Sequence, residues 1–442
     1  MKKTFKTIFP ALALLFLSLS LTASPPQTLE HKTVEIISHL RKGVIHEHLD
    51  QFTEQMRDFL KEHEGAGVWE SVESYTGTFS EIIRFHHDTS GTYRIVTVVM
   101  AFSQGESALN FVYDPDEKIA GLTLAPVPPE TFELPPYSDS AAFTETNLML
   151  DCGDIQLPAN LSLPLGGQPV PLVILVHGSG PHDMDETIGP NKPFRDLAHG
   201  LASQGIAVLR YEKRTKYHAH SLDIDAINPW HETGKDAVKA VEMAASLKGV
   251  DPERIYLLGH SLGGLMAPEI ARKAPQLKGI ILLGAPTGKL YDLLLEQLRY
   301  LAPIQDPEGK VMCEMIRQVE EQVERIHRGE LTPDSPRDQS IQGLPPVYWL
   351  YFREYDQLKT AGALPQRILV LQGERDYQVP MREFFAWRSG LREHPESTFK
   401  WYPGLNHLFM HGTGTPDPTE YFNPGHVDER VIRDIGSWVM QH

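Results

Sequence analysis

The sequence predicts an α/β protein, built on a mostly parallel sheet with helices on both faces and preceded by a small α+β domain. Three observations carry this. The apolar run Ile255 to Leu258 leads through Gly259-His-Ser-Leu-Gly263 straight into a helical pattern from Leu265 to Arg272, as a buried central strand followed by a tight turn and a helix would. From about residue 145 onward, apolar strand runs alternate with amphipathic helices, the order of strands joined by crossover helices. Before residue 130 the order differs, with helical spacing first and then a series of short strands, which describes a separate α+β unit.

Taken in order, the chain opens with Lys2, Lys3 and Lys6, then an apolar run from Ile8 to Leu21 and the small-residue site Leu21-Thr-Ala23. This is the pattern of a signal peptide over residues 1–23, implying export to the periplasm or beyond. The run is too short to span a bilayer comfortably, so no stable membrane anchor is expected.

Residues 24–130 make up the small α+β domain. From Pro25 to about Glu64, apolar residues including Val34, Ile37, Leu40, Ile45, Leu49, Phe52, Met56 and Leu60 recur three and four apart, a helical period that Gly43 interrupts. After Gly65-Ala-Gly67 the period changes to strands, read over Glu73–Phe79, Ser80–His87, Tyr93–Phe102, Leu109–Tyr113 and Ile119–Leu124, with turn signals such as Asp114-Pro115 between them. The adjacent His86 and His87 face opposite sides of a strand and read as ordinary strand residues. Ala125-Pro-Val-Pro-Pro-Glu130 and Pro135-Pro136 then mark a semi-extended linker, placed over residues 131–144.

The second domain covers residues 145–442. Its strands read as Asn147–Asp151, Ile155–Leu163, Val170–Val176, Ile206–Tyr211, the Ile255–Leu258 run, Gly279–Leu283, Arg367–Gln372 and Thr398–Tyr402, with the first two adding an antiparallel edge. Helices are read over Asp236–Leu247 and Val427–Met440. Between about residues 285 and 362 the alternation stops. Leu290–Leu301 and Val311–Arg328 are amphipathic helices, and Pro345–Tyr355 is rich in aromatics. An insertion at a strand's carboxyl end lies where open α/β sheets bind ligands, so this stretch is read as a helical cap. Tyr348, Trp349, Tyr351 and Phe352 are its candidate substrate wall.

Gly-x-Ser-x-Gly between strand and helix places Ser261 on a sharp turn that lifts its hydroxyl above the sheet. A serine needs a base to take its proton and an acid to orient the base. Asp376, in Gly-Glu-Arg-Asp376, follows one later strand, and His407, in Gly-Leu-Asn-His407, follows the next. Glu374 is the competing carboxylate. The Leu262 amide at the helix start, and the Ser179 or Gly180 amide in His177-Gly-Ser-Gly180, are the candidate oxyanion donors. His177, His182 and Asp183 resemble metal ligands in type, but a glycine-rich loop gives no reason for them to converge, and they read as structural or substrate-positioning residues. Lys213 and Arg214 suit a substrate carboxylate or, more commonly, nearby Asp/Glu partners.

The formal net charge is −17, or about −20 without the three leader lysines, which argues against nucleic acid and anionic membranes as partners. Cys152 and Cys313 are the only cysteines, too few for a cysteine-built zinc site.

Together, Gly-His-Ser-Leu-Gly-Gly264, Gly-Glu-Arg-Asp376 and Gly-Leu-Asn-His407 resemble the nucleophile, acid and base motifs of the α/β-hydrolases, from about residue 145 to the C-terminus. More narrowly, His177-Gly-Ser-Gly-Pro181, Asp185-Glu-Thr-Ile-Gly-Pro-Asn-Lys-Pro-Phe-Arg-Asp196 and Val208-Leu-Arg-Tyr-Glu-Lys-Arg214 resemble exported bacterial esterases related to dienelactone and prolyl-oligopeptidase-like hydrolases. The resemblance implies a serine-dependent hydrolase of short acyl esters, acting on small molecules with no cofactor and no metal. A serine peptidase or acyltransferase on the same fold is the alternative within enzymes, and a non-catalytic binding protein with a hydrolase scaffold the alternative outside them.

Overall fold

The computed structural model describes residues 26–62, 67–90, 92–128, 133–219, 222–305, 309 and 312–441. The expected signal peptide lies outside the described residues. The chain divides into two compact units, one up to Phe132 and the other from Glu133 to the C-terminus apart from residues 218–221.

In the first unit, helices Pro26–Lys42, Glu54–Glu62 and Gly67–Thr76 accompany a four-stranded antiparallel sheet. Its strands are β1 (Phe79–Ser90), β2 (Tyr93–Phe102), β3 (Gly105–Tyr113) and β4 (Ile119–Ala125), in sequential order. Gly43 ends the first helix with φ +70°, a left-handed conformation that glycine adopts without steric cost. Leu29, Ile36, Ile37 and Leu40 of that helix pack with Val96, Val98 and Met100 of β2 and Phe111 and Tyr113 of β3. The buried Tyr113 hydroxyl is satisfied by Thr33 Oγ1 at 2.7 Å. The strand expected over Glu73–Phe79 is corrected: its first residues close the helix Gly67–Thr76. The reason is that Trp69, Val72 and Thr76 lie three and four residues apart and are the buried residues of that stretch, a spacing that only a helix turns to one face.

The second unit holds an eight-stranded sheet. Its strands are β5 (Phe143–Asp151), β6 (Gln156–Pro164), β7 (Val170–Val176), β8 (Ala207–Tyr211), β9 (Val250–His260), β10 (Gly279–Leu283), β11 (Arg367–Gly373) and β12 (Ser397–Tyr402). They lie in the order β12-β11-β10-β9-β7-β8-β6-β5. The pairs from β8 to β12 are parallel, and β6 pairs antiparallel with both β8 and β5. The central strands are mostly apolar where both faces are covered, as in Ile255–Leu258 of β9. Leu172, Ile174, Leu257, Ile280 and Val370 enter one core layer, whereas Val173, Leu175, Leu258, Ile281 and Leu371 enter the other. Helices Lys235–Ala244, Leu262–Lys273 and Met381–Gly390 bury residues in the first layer, and helices Pro193–Ala202 and Glu429–Met440 in the second.

From Glu133 on, the segment read as a linker is instead part of the second unit. Tyr137 packs against the second core layer and donates its hydroxyl to the Val427 carbonyl at 2.7 Å, and β5 begins at Phe143. Between β10 and β11 run the helices Leu290–Gln305, Met312–His327, Pro346–Glu354 and Gln357–Gly362, the helical insertion expected there. Cys152 is buried and Cys313 exposed, both as free thiols. Among the described residues, no helix is long and apolar enough to cross a membrane.

Candidate active site

The turn after β9 is set by its glycines. A Cβ on Gly259 would fall 2.2 Å from the Gly263 carbonyl oxygen, and one on Gly263 would fall 2.2 Å from the Val176 carbonyl oxygen. Helix, turn and strands therefore approach at backbone contact, which no larger residue permits. Between these glycines Ser261 has φ +52° and ψ −115°, a conformation costing a non-glycine residue about 1–3 kcal/mol. Packing on both sides holds it there. Its own N–H donates to the Leu283 carbonyl at 2.9 Å, tying the turn to the end of β10.

Asp376 and His407 come together from the loops after β11 and β12. His407 Nδ1 donates to Asp376 Oδ2 at 2.6 Å, and both side chains are buried. Asp376 is fixed by further donors: the amides of Gln378 and Val379 reach Oδ1 at 2.9 and 2.8 Å, and Gln372 Nε2 reaches Oδ2 at 3.1 Å. With Nδ1–H committed to a carboxylate, His407 keeps Nε2 as its basic atom. Glu374, the competing carboxylate, is exposed and accepts from the Gly404 amide at 3.3 Å. A Cβ on Gly284, at the end of β10, would lie 3.3 Å from His407 Nδ1 and 3.4 Å from Asp376 Oδ2. The His260 ring, one residue before the nucleophile, has its centroid 4.6 Å from that of His407. The loops after β9, β10, β11 and β12 thus converge at one edge of the sheet.

The loop after β7 reaches the same edge. A Cβ on Gly178 would lie 3.2 Å from Ser261 Cβ. The Gly178 amide is spent on Glu186 Oε1 at 2.6 Å, and its carbonyl accepts from the buried Lys213 Nζ at 2.6 Å. The next amides, those of Ser179 and Gly180, follow in an exposed to half-buried turn with Gly180 at φ +92°. Leu262, the other candidate donor, is the first residue of the helix Leu262–Lys273, where amides and helix dipole favour developing negative charge.

The metal-like trio is occupied within its own loop. His177 Nε2 lies 2.9 Å from the Asp183 carbonyl, His182 Nε2 lies 2.7 Å from the Ser179 carbonyl, and the Asp183 carboxylate accepts from the Thr187 amide and hydroxyl. Burial pushes the His177 imidazole down to about 3, so it is neutral. Among the described residues no group of three or more His, Cys, Asp or Glu is placed to hold a metal ion. Lys213 pairs with the buried Glu232, and Arg214 makes two bonds to Asp236 at 2.7 and 2.6 Å, so both take protein partners.

The four cap aromatics expected as a substrate wall occupy the helix Pro346–Glu354, with Tyr351 half-buried. Tyr348, Trp349 and Phe352 are buried in the first core layer. Tyr348 donates to Glu232, Trp349 Nε1 to the Ile341 carbonyl and Tyr351 to Glu269. Tyr348 and Tyr351 thereby tie the insertion to Glu232 and to the helix Leu262–Lys273, and Trp349 ties two parts of the insertion together. The insertion meets the acid loop through another helix: Leu293, Gln297 and Tyr300 of Leu290–Gln305 line a cleft of about 250 Å³ with Asp376 and Tyr377. Gln297 Nε2 donates to the Gln378 carbonyl at 2.8 Å.

A serine on a strained strand-to-helix turn, with a His–Asp pair on later loops of the same sheet edge, defines the serine hydrolases of the α/β-hydrolase fold. The chain belongs to the family described as serine aminopeptidase, S33, which matches residues 167–413. A second family, described as a protein of unknown function, matches residues 33–122 in the small domain. Esterase EstD of Thermotoga maritima is 32% identical over 426 residues, covering 96% of this chain and 99% of that protein. Among solved structures, Est1E from Butyrivibrio proteoclasticus is 19% identical with a TM-score of 0.44, covering 67% of this chain and 98% of its own. A hyperthermophilic esterase from Pyrobaculum calidifontis is 16% identical with a TM-score of 0.42, covering 67% and 85%.

Proposed function

We propose that this chain is a serine-dependent carboxylic ester hydrolase acting on small-molecule esters, with short acyl groups as the first class to test. The observation that carries the reading is the His407–Asp376 bond of 2.6 Å at the sheet edge where Ser261 is held at φ +52°. Similarity to an esterase over nearly the whole chain supports the substrate class. Ser261 Oγ attacks the acyl carbonyl carbon as His407 Nε2 takes its proton, and Asp376 holds the resulting imidazolium. The amides of Leu262 and of Ser179 or Gly180 receive the oxyanion, each donor contributing about 10²–10³ in rate. Collapse expels the alcohol, protonated by His407. Water, deprotonated by the same imidazole, then cleaves the acyl-enzyme to the carboxylic acid and free Ser261. The basic start and apolar run before residue 23 support export to the periplasm or medium.

The family description favours one second reading, cleavage of an amino-terminal peptide bond by the same triad. A fluorophosphonate probe followed by an ester, thioester and aminopeptide panel tests both. Labelling is expected at Ser261 and lost in Ser261→Ala, with turnover of short esters down by several orders of magnitude. Near-normal ester turnover by the alanine variant refutes the assignment, and faster cleavage of aminopeptides than of every ester selects the peptidase.

A further inference from the structure

Glu186 and His260 form an enclosed charged pair beside the nucleophile that none of the steps above uses. Both side chains are buried, and the walls include Phe194, Leu197, Leu283 and Leu408. His260 Nδ1 lies 2.9 Å from Glu186 Oε2, at ion-pair distance though off the line of a hydrogen bond. His260 Nε2 lies 3.0 Å from the His407 carbonyl oxygen. A carboxylate and a carbonyl both only accept, so the ring can serve both neighbours only when it carries both protons. The other Glu186 oxygen takes the Gly178 amide at 2.6 Å. Glu186 itself sits at φ +51°, like Ser261 in the left-handed region.

We propose that His260 and Glu186 are positioning residues, a single buried ion pair that fixes the base loop and the oxyanion loop relative to Ser261. One end grips the backbone of His407 and the other grips Gly178, the residue before the candidate oxyanion amides. This rests on the serine-hydrolase reading above. Stability is a poor account of the pair, because removing two charges from water offsets most of their attraction. Geometry is what it supplies: a misplacement of about 1 Å in such a site costs about 10²-fold in rate. Burial by itself would strip the ring of its proton. The Glu186 charge and contact, helped by the His407 carbonyl and by Asp376, outweigh that and raise its proton affinity above that of an ordinary histidine.

The test uses the full chain and two variants, Glu186→Gln and His260→Gln, with their double variant. Each single change is expected to lower kcat about 10–100-fold with KM within threefold, and to slow fluorophosphonate labelling of Ser261 in parallel. The double variant should fall no further than the worse single one, as members of one unit do. Folded variants with kcat and labelling rate within twofold of wild type overturn the proposal, as does a loss confined to KM or losses that simply add. A measurement on the unaltered protein stands whether or not the variants fold. The histidine ¹⁵N spectrum followed through a pH titration should show the His260 ring keeping both protons to higher pH than an ordinary histidine, and a His260 ring that loses its second proton at or below the ordinary range overturns the pair. If Ser261 is labelled but no ester is cleaved, the esterase reading fails and labelling rates still decide this inference. Absence of labelling at Ser261 overturns both.

Discussion

Glu212→Gln should stabilise the protein at alkaline pH and leave it nearly unchanged in acid. Glu212 follows β8, is partly buried, and accepts the Met184 amide at 3.3 Å. Burial, reinforced by Asp183 and Asp185 and only partly opposed by that amide and by Lys216, pushes its carboxyl from 4.5 up to about 7. The sign follows from linkage. A folded-state value above the unfolded one means that the folded protein holds the proton more tightly. The stability tied to that proton is complete below pH 4.5 and is lost as pH rises through about 7. At about 1.4 kcal/mol per tenfold change in proton affinity, the full interval is worth about 3 kcal/mol, and partial exposure brings this nearer 2. Glutamine is the shape of the protonated acid and still accepts from Met184. Melts of both proteins, followed by tryptophan fluorescence at pH 4.5 and 8.5, should agree within about 0.5 kcal/mol in acid. At pH 8.5 the variant should melt roughly 2–3 °C higher. An equal difference at both pH values, or a variant less stable at pH 8.5, refutes the reasoning.

Asp376→Asn should reduce kcat about 10⁴-fold by presenting an amide to His407 Nδ1, whereas Glu374→Gln, altering an exposed side chain, should stay within about threefold by ester assay. Gly259→Ala places a Cβ 2.2 Å from the Gly263 carbonyl oxygen, so it should abolish activity or soluble expression. Gly362→Ala, with nothing within 4 Å of its added Cβ, should match wild type in both. Deleting residues 24–130 should leave a cooperative melt and hydrolysis of a small soluble ester largely intact. A folded truncation unable to cleave any small ester would show that the first unit contributes to the site.

The hydrolase unit was legible in the sequence because its signals are local. Four apolar residues ending in Gly-His-Ser-Leu-Gly specify a buried strand, a turn and a helix within one short window, whereas the packing that holds the turn comes from Val176 and Leu283 on neighbouring strands. Asp376 and His407 could be placed from the sequence only as residues in loops just past strand runs, and their 2.6 Å bond belongs to the tertiary structure. Periodicity says which residues share a face of one element, and nothing about what that face will meet. That is why Tyr348, Trp349 and Phe352 read as pocket wall, when the helix carrying them turns into the core. It is also why Glu73 to Thr76 read as strand, although Thr76 shares one buried helical face with Trp69 and Val72. His260 stands inside the nucleophile motif at the end of β9, but its partner Glu186 comes from the loop after β7, separated from β9 in sequence by β8 and the helices Pro193–Ala202 and Lys235–Ala244. Only the tertiary structure brings a carboxylate from one loop and the backbone of His407 from another onto its two ring nitrogens, because contacts between elements are fixed by how the sheet is ordered and packed, whereas a sequence window records only geometry within an element.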